Sequence, residues 1–268
     1  MDSKISSFLG IQVPTFEKKN KFNFFDSVLF IDKSEEINFS ENIDENCLIV
    51  LQENAKLNFN FDVNEISDLK INASFKFICK KNSVLNLKIN KNYIDDEFFD
   101  FSNFYLSMHA GSKANIFCNI KNGITFYKFD FDLKEENAEI NFKINYFLNE
   151  NSKSAIITNQ NHCSKKTFSK VCIKKVLDNG SRSYSNNVIH IDRNSSDCNA
   201  LQSDRCLVLN NACKNLSIPS MQVLNKDISC KHASTTSNVD ENQLWYLKCR
   251  ALSFEKSRQF LIESFLVS

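Results

Sequence analysis

The chain has 268 residues, 42% of them hydrophobic, and a formal net charge of +1. The near-neutral charge argues against a general binder of nucleic acid or other polyanions, and no window reaches the roughly 18 apolar residues that a membrane span needs. Because residues 1–10 also lack the charged-then-apolar layout of a secretory signal, we expect a soluble, cytoplasmic protein.

Ten cysteines are scattered along the chain without a single CxxC pair. In a reducing cytosol such cysteines are mostly small buried hydrophobic residues and not disulfide partners. We therefore predict a structural role for most of them, with Cys230 as the exception discussed below.

The chain divides into a short N-terminal segment at 1–25, a repetitive core at 26–235 and a helical segment at 236–268. Within the core, one pattern recurs: a corner of small or polar residues followed by alternating apolar and polar positions, which is typical of a half-buried strand. The five copies are Asn54–Phe61, Asn82–Ile89, Gly111–Cys118, Asn137–Ile144 and Asn211–Ile218. Further alternating strands precede several corners, at Cys47–Leu51, Phe75–Cys79 and Phe129–Leu133.

The starts of the first four copies are 28, 29 and 26 residues apart. A strand, a corner and a second strand repeated at this interval predict an all-β solenoid, whose turns must stack because one turn cannot bury its own apolar face. A β-sandwich is the alternative, since it is also built from short alternating strands. The regular interval favours the solenoid.

One column of the repeat is asparagine in all five copies: Asn58, Asn86, Asn115, Asn141 and Asn215. Stacked turns would bring these side chains into an amide ladder along the solenoid. The insertion Asn90–Asn103 is acidic and aromatic, and we interpret it as a loop. Asp95, Asp96 and Glu97 within it could bind a metal, but a solvated acidic loop is the favoured interpretation.

The C-terminal third contains two long motifs. Ser217–Thr236 reads SIPSMQVLNKDISCKHASTT, and Asn238–Ser253 reads NVDENQLWYLKCRALS. They resemble the end of the SufB/SufD core, where a Pro precedes an apolar strand and Asp-Val-x-Cys-x-His-Gly-Ala-Thr. The family continues with Leu-Asp-Glu-x-x-Leu-Phe-Tyr-Leu-x-Ser-Arg-Gly-Ile-Ser. About fifty consecutive residues are similar in order and spacing, and a weaker resemblance extends upstream through His162 to about residue 45.

The resemblance implies a right-handed parallel β-helix followed by C-terminal helices, which agrees with the repeat. It also implies a scaffold subunit, and not an enzyme, of the SufBCD machine that assembles iron–sulfur clusters. Such a subunit pairs with a SufB-like paralogue and docks a SufC-like ATPase, and the cluster forms transiently at the subunit interface. This chain has no GxxxxGK[ST] phosphate loop, so the ATPase would be the partner.

Two positions favour a SufD-type over a SufB-type chain. SufB-type chains have a Cys fifteen residues before the motif Pro and a Glu after the motif His, where this chain has Asp204 and Ala233. The SufB type stays open as an alternative because Thr235–Ser237 is more similar to it. A β-helical carbohydrate-active enzyme is a more distant alternative.

The resemblance gives His232 the role of the SufD histidine that faces SufB and takes part in forming the cluster. Cys230 and His232 are two apart on a predicted strand and would point to the same face, and imidazole and thiolate are both iron ligands. We therefore predict both as metal ligands. The role of His162 stays open, and Lys174 and Lys175 are interpreted as a solvated face.

Two helices are predicted in the last segment, capped by Asp240 and Ser253. An apolar stripe on the second helix is expected to cover the last turn of the solenoid. Ala251 replaces the family's Gly after the helix Arg, where a left-handed backbone usually favours Gly. Only about 20–25 residues precede the first repeat, so the family's helical N-terminal region is expected to be reduced.

Overall fold

The computed structural model describes residues 2–10, 26–39, 46–64, 70–93 and 98–267. It contains three helices: α1 (Asp2–Leu9), α2 (Glu241–Cys249) and α3 (Phe254–Val267). The strands are β1 (Ser27–Ile31), β2 (Ser34–Phe39), β3 (Asn46–Leu51), β4 (Lys56–Asn64), β5 (Lys70–Cys79), β6 (Val84–Asn92), β7 (Phe99–Met108), β8 (Lys113–Lys121), β9 (Ile124–Leu133), β10 (Glu139–Leu148), β11 (Lys153–His162), β12 (Phe168–Leu177), β13 (Arg182–Ile191), β14 (Cys198–Val208), β15 (Lys214–Val223) and β16 (Ile228–Asn238).

The strands form two parallel sheets, each with eight strands. The odd-numbered strands stack in order from β1 to β15, and the even-numbered strands stack in order from β2 to β16. We call these the odd sheet and the even sheet. Successive strands thus alternate between the two sheets, and each strand pairs with the previous strand of its own sheet. This order confirms the predicted parallel β-solenoid, which is followed by the C-terminal helices. A β-sandwich is excluded for the described strands because their pairs within each sheet are parallel.

Aromatic side chains fill the centre of the solenoid. Phe75, Phe104 and Phe129 are in register on neighbouring strands of the odd sheet, and their rings stack at centroid distances of 5.4 and 4.8 Å. Phe142 of the even sheet packs across the interior against Phe129 at 4.5 Å. Such contacts, repeated from turn to turn, bury the apolar face that no single turn could bury alone.

The corners before the even strands share one backbone conformation. Asn54, Asn82, Gly111 and Asn137 all have a positive φ, between 56° and 65°. Glycine adopts this left-handed region freely, and asparagine tolerates it better than most residues. The corner residues that mark the repeat in the sequence are therefore those that a sharp turn between the two sheets needs.

The asparagine ladder exists, but with four members. Asn58, Asn86, Asn115 and Asn141 are in register on the outer face of the even sheet. Each amide donates to the previous one, with N–O distances of 2.9, 3.0 and 3.4 Å. The predicted fifth member, Asn215, is wrong because it lies on β15 in the odd sheet.

The insertion at 90–103 is not one loop. Its ends belong to β6 and β7, and only 94–97, which include the acidic residues considered for a metal site, lie outside the described residues. The Lys91 ammonium is fully buried against the Asp100 carboxylate at 2.5 Å. Tyr93, Tyr127 and Ser102 also donate hydrogen bonds to that carboxylate. Burial favours the neutral amine and lowers the pKa of Lys91 despite its partner.

The C-terminal helices do not cover the last turn. The side chain of Asp240 caps α2 by accepting a hydrogen bond from the N–H of Asn242, and Ser253 caps α3 through the N–H of Lys256, so both predicted caps are confirmed. Instead of lying over the open end, α3 lies against β12. Lys174 donates to the carbonyl of Phe265 at 2.9 Å. The expected cover is therefore wrong, and within the described residues the last turn of the solenoid stays largely exposed.

All ten cysteines are free, as predicted, and half of them are buried. The helix α1 packs on the outside of the odd sheet, where Ile5 and Leu9 share one buried apolar cluster with Phe126 and Tyr184. Among the described helices, none is both long enough and apolar enough to cross a membrane.

Candidate functional site at the open end

The strands β15 and β16 form the last turn of the solenoid, and each closes its sheet. On β16, Cys230 is in register with Ala200 and His232 with Gln202 of β14. Ala200 and Gln202 point into the buried interior. Cys230 and His232 therefore continue an inward-facing column to the point where it meets solvent, and His232 is exposed there.

The Cys230 thiol is half-buried beside the odd sheet. Its Sγ lies 3.2 Å from Sδ of Met221 on β15. Partial burial disfavours the thiolate and raises the pKa of Cys230. Several large apolar side chains near this end are exposed: Leu216, Ile218, Met221, Val223 and Leu224.

A buried ion pair lies one strand below this surface. The Lys175 ammonium is 2.7 Å from the Asp204 carboxylate, and both side chains are almost fully buried. Ser185 and Asn187 donate to the same carboxylate from inside, and Ser217 of the last turn donates to it at 2.8 Å. The solvated face predicted for Lys174 and Lys175 is therefore wrong, since only 2% and 0% of these residues are exposed.

His162 is also buried, in a chain of polar side chains that leads toward the open end. Its Nδ1 lies 2.7 Å from Thr167 Oγ1, and its Nε2 lies 2.8 Å from Ser169 Oγ. Ser169 donates to Gln160, whose amide donates to Gln202 at 3.2 Å. Burial disfavours the imidazolium and lowers the pKa of His162 to about 4. A neutral histidine is thus linked, through the side chains of Ser169 and Gln160, to Gln202, the residue in register with His232.

The interior of the solenoid becomes more polar toward this end. Its middle is packed with phenylalanine, whereas the turns around β11–β14 bury histidine, glutamine, asparagine and an ion pair. Nothing in the described residues gathers three or more His, Cys, Asp or Glu side chains into one potential metal site. At the open end, two side chains of types that can bind a metal, Cys230 and His232, lie next to these buried hydrogen-bonded polar side chains.

A second surface lies on the helices α2 and α3. Trp245, Tyr246, Phe254 and Phe260 are each at least half exposed. A shallow cavity of about 310 Å³ opens between the two helices and is lined by Asn242, Gln243, Tyr246, Leu247, Phe260 and Leu261. The sequence predicted an apolar stripe on α3 but not that aromatic rings of both helices would stay uncovered.

Together these features define a solenoid protein whose open end carries a pair of potential metal donors and whose C-terminal helices expose an aromatic surface. Residues 31–265 match the family model for the SufBD core domain of the SUF system of FeS cluster assembly. The match covers most of the chain, which therefore belongs to the SufBD family of iron–sulfur cluster assembly proteins.

Curated relatives carry the same family description. The chain is similar to iron–sulfur cluster assembly SufBD family proteins of Staphylococcus haemolyticus, Staphylococcus epidermidis and Staphylococcus aureus, with 28% identity over 105 residues. The aligned segment is 39% of this chain but only 23% of the length of each relative.

Proposed function

We propose that the chain is a SufD-type scaffold subunit that pairs with a SufB-like paralogue at the open end. The nascent iron–sulfur cluster would form there as a transient product, and the chain itself would be a non-enzymatic, cytoplasmic component. The observation that carries the proposal is the position of the half-buried Cys230 and the exposed His232 at the end of the inward-facing column. Family membership supports this chemistry over the binding of carbohydrate.

The donor pair suits a site that is shared between two chains. A neutral imidazole and a thiolate both ligate iron, and Cys230 and His232 lie on the same face of one strand. Protein-bound clusters usually have four protein ligands. This chain would supply two ligands, and the partner would supply the rest.

The last turn also has the features of a pairing surface. The strands β15 and β16 end their sheets with open edges, and such edges readily pair with another chain. Exposed apolar side chains such as Ile218 and Met221 lie beside these edges. An apolar patch of this kind is typical of a protein–protein interface.

Two buried side chains favour the SufD type. At the position of the SufB cysteine, Asp204 is engaged by Lys175 and three other donors. The nearby Cys206 is buried, and desolvation raises its pKa to about 12, so it is a protonated thiol at neutral pH. Neither side chain supplies a thiolate at this position. The SufB type is the second candidate, favoured by Thr235–Ser237 in β16.

The aromatic surface of α2 and α3 is the proposed docking site of a SufC-like ATPase. Trp245 and Tyr246 are exposed by 68% and 55%, and such residues often dominate the binding energy of interfaces. In this arrangement the paralogue and the ATPase bind different parts of the chain, so both can be bound at once.

Co-expression with SufB-like and SufC-like chains, followed by the stoichiometry of the purified complex, tests both surfaces. Ile218→Asp should abolish pairing with the paralogue but retain the ATPase, and Trp245→Ala should have the opposite effect. Phe30→Asp is the matched control because Phe30 is exposed on β1, at the opposite end of the solenoid. A wild-type chain that retains neither partner would contradict the proposal.

A further inference from the structure

A groove of about 700 Å³ runs along the outer face of the even sheet, away from the open end. Two neighbouring columns of side chains line it. One is the asparagine ladder, which continues into Lys170 in register with Asn141. The other contains Lys88, Phe117 and Lys143, in register on β6, β8 and β10. The volume lies within the range typical of small-molecule sites.

The groove has an excess of positive charge. Among the residues that the structure describes, it is lined by three lysines and a single carboxylate, that of Glu36. In the described part of the chain, Lys88 and Lys170 make no ion pair, and Lys143 contacts the carbonyl of Val267 at 3.4 Å. Because the chain as a whole has a net charge of only +1, this local accumulation favours an anionic ligand.

The ladder adds hydrogen-bond donors. Asn86 and Asn115 each use one N–H and the carbonyl oxygen within the ladder. An amide nitrogen has two N–H groups, so each of these residues has a second N–H to offer to a ligand. Such a row of donors complements acceptor-rich groups, such as phosphate oxygens and the ring nitrogens of a base.

An aromatic platform completes the groove. The Phe117 ring is 37% exposed and lies between Lys88 and Lys143, whose strands are roughly 10 Å apart. Lys143 and Lys170 lie on neighbouring strands, so one anionic group can reach both. The groove thus combines a cationic end, a ring for stacking and a line of amide donors.

We propose that this groove binds a small aromatic phosphate of the nucleoside monophosphate class. The base stacks on Phe117, the phosphate lies between Lys143 and Lys170, and the amides of Asn86 and Asn115 donate to the ligand. Lysine binds phosphate as a compact point charge, and an aromatic side chain can stack on any base because every base has a π-face. The site is separate from the open end, so it does not depend on the proposed role in cluster assembly.

Calorimetric titration of the full chain with AMP, adenosine, ribose 5-phosphate and inorganic phosphate tests the proposal. AMP should bind about tenfold more tightly than either adenosine or ribose 5-phosphate, which each lack one of its two anchors. Phe117→Ser and Lys170→Gln should each lower the affinity for AMP by several-fold to about tenfold. Lys128→Gln is the matched control, since Lys128 is a partly exposed lysine of the odd sheet.

Circular dichroism of each variant establishes that it is folded. Lys170→Gln should fold like the wild type because it changes only an exposed side chain. Equal affinity for AMP and inorganic phosphate would overturn the stacking on Phe117, and equal affinity for AMP and adenosine would overturn the phosphate site. Undiminished AMP binding by both groove variants would place the ligand elsewhere and overturn the proposal.

Discussion

His162 should make the stability of the protein fall as the pH is lowered. Its ring is fully buried, and burial lowers its pKa from 6.5 to about 4. Between these two values the unfolded chain holds a proton on His162 that the folded chain does not. Protonation therefore favours the unfolded state, and the free energy of unfolding decreases as the pH falls below 6.5.

The size of the effect follows from the shift. One pKa unit corresponds to about 1.4 kcal/mol, so the whole window from 6.5 down to about 4 is worth roughly 3 kcal/mol. At about pH 5, where roughly 1.5 units of the window have been crossed, His162 should account for a loss of about 2 kcal/mol.

Urea unfolding of the wild type and of His162→Gln at several pH values isolates this contribution from that of other groups. The variant should be less stable at neutral pH because it loses well-placed hydrogen bonds to Thr167 and Ser169. The gap between the two proteins should then narrow by about 2 kcal/mol at about pH 5. His190→Gln, on the partly exposed His190, is the control. Parallel stability curves for the wild type and His162→Gln would refute the reasoning.

Three further outcomes are expected. Lys175→Met should lower the free energy of unfolding in urea by about 3–5 kcal/mol because it leaves the buried Asp204 carboxylate without its counter-ion. Adding Asp204→Leu should recover part of that loss. A double variant no more stable than Lys175→Met would contradict a stabilising ion pair. Ala251→Gly should stabilise α2 by about 1 kcal/mol, seen as slower amide exchange, since φ of Ala251 is +62°; unchanged exchange would contradict the strain. Asn115→Ala should cost about 1 kcal/mol more than Asn119→Ala, a neighbour on β8 outside the ladder, and equal losses would show that the ladder contributes nothing.

The fold was predictable because the sequence repeats the same corner and strand pattern at a regular interval. Corner residues such as Asn54 and Asn82 recur at the spacing of one turn and adopt the left-handed conformation that the corner requires. The period of about 28 residues places each copy two strands further along, in the same sheet. The fifth copy failed because Asn215 follows a corner of the other sheet, and sequence similarity does not distinguish the two faces.

The buried ion pairs were missed although a signal for them exists. Lys175 is an even number of positions from Val171 and Ile173, so the alternation of β12 places it inside with them. Lys91 has the same relation to Leu87 and Ile89 in β6. The solvated interpretation of Lys175 is wrong because its partner, Asp204, comes from another strand, and only the stacking of turns brings the two together.

The sequence predicted which two residues, Cys230 and His232, could bind a metal, but not where in the fold they would lie. The resemblance pointed to Cys230 and His232, and strand alternation put them on one face. Their exposure depends on where α3 packs, since a helix over the last turn would have covered them. The charged contacts that hold α3 beside β12, such as Arg258 with Asp178 at 2.7 Å, join residues 80 positions apart. Contacts at that separation are not visible in a local pattern.

Cluster assembly by the purified ternary complex shows whether the open end holds the nascent iron–sulfur cluster. The chain would be co-expressed with its SufB-like and SufC-like partners, and iron, sulfide and the visible absorbance of the complex would be measured for the wild type, His232→Ala and His190→Ala. We expect all three complexes to form with the same stoichiometry and only His232→Ala to lack the cluster. A full cluster content in His232→Ala would contradict the assignment of the site to the open end.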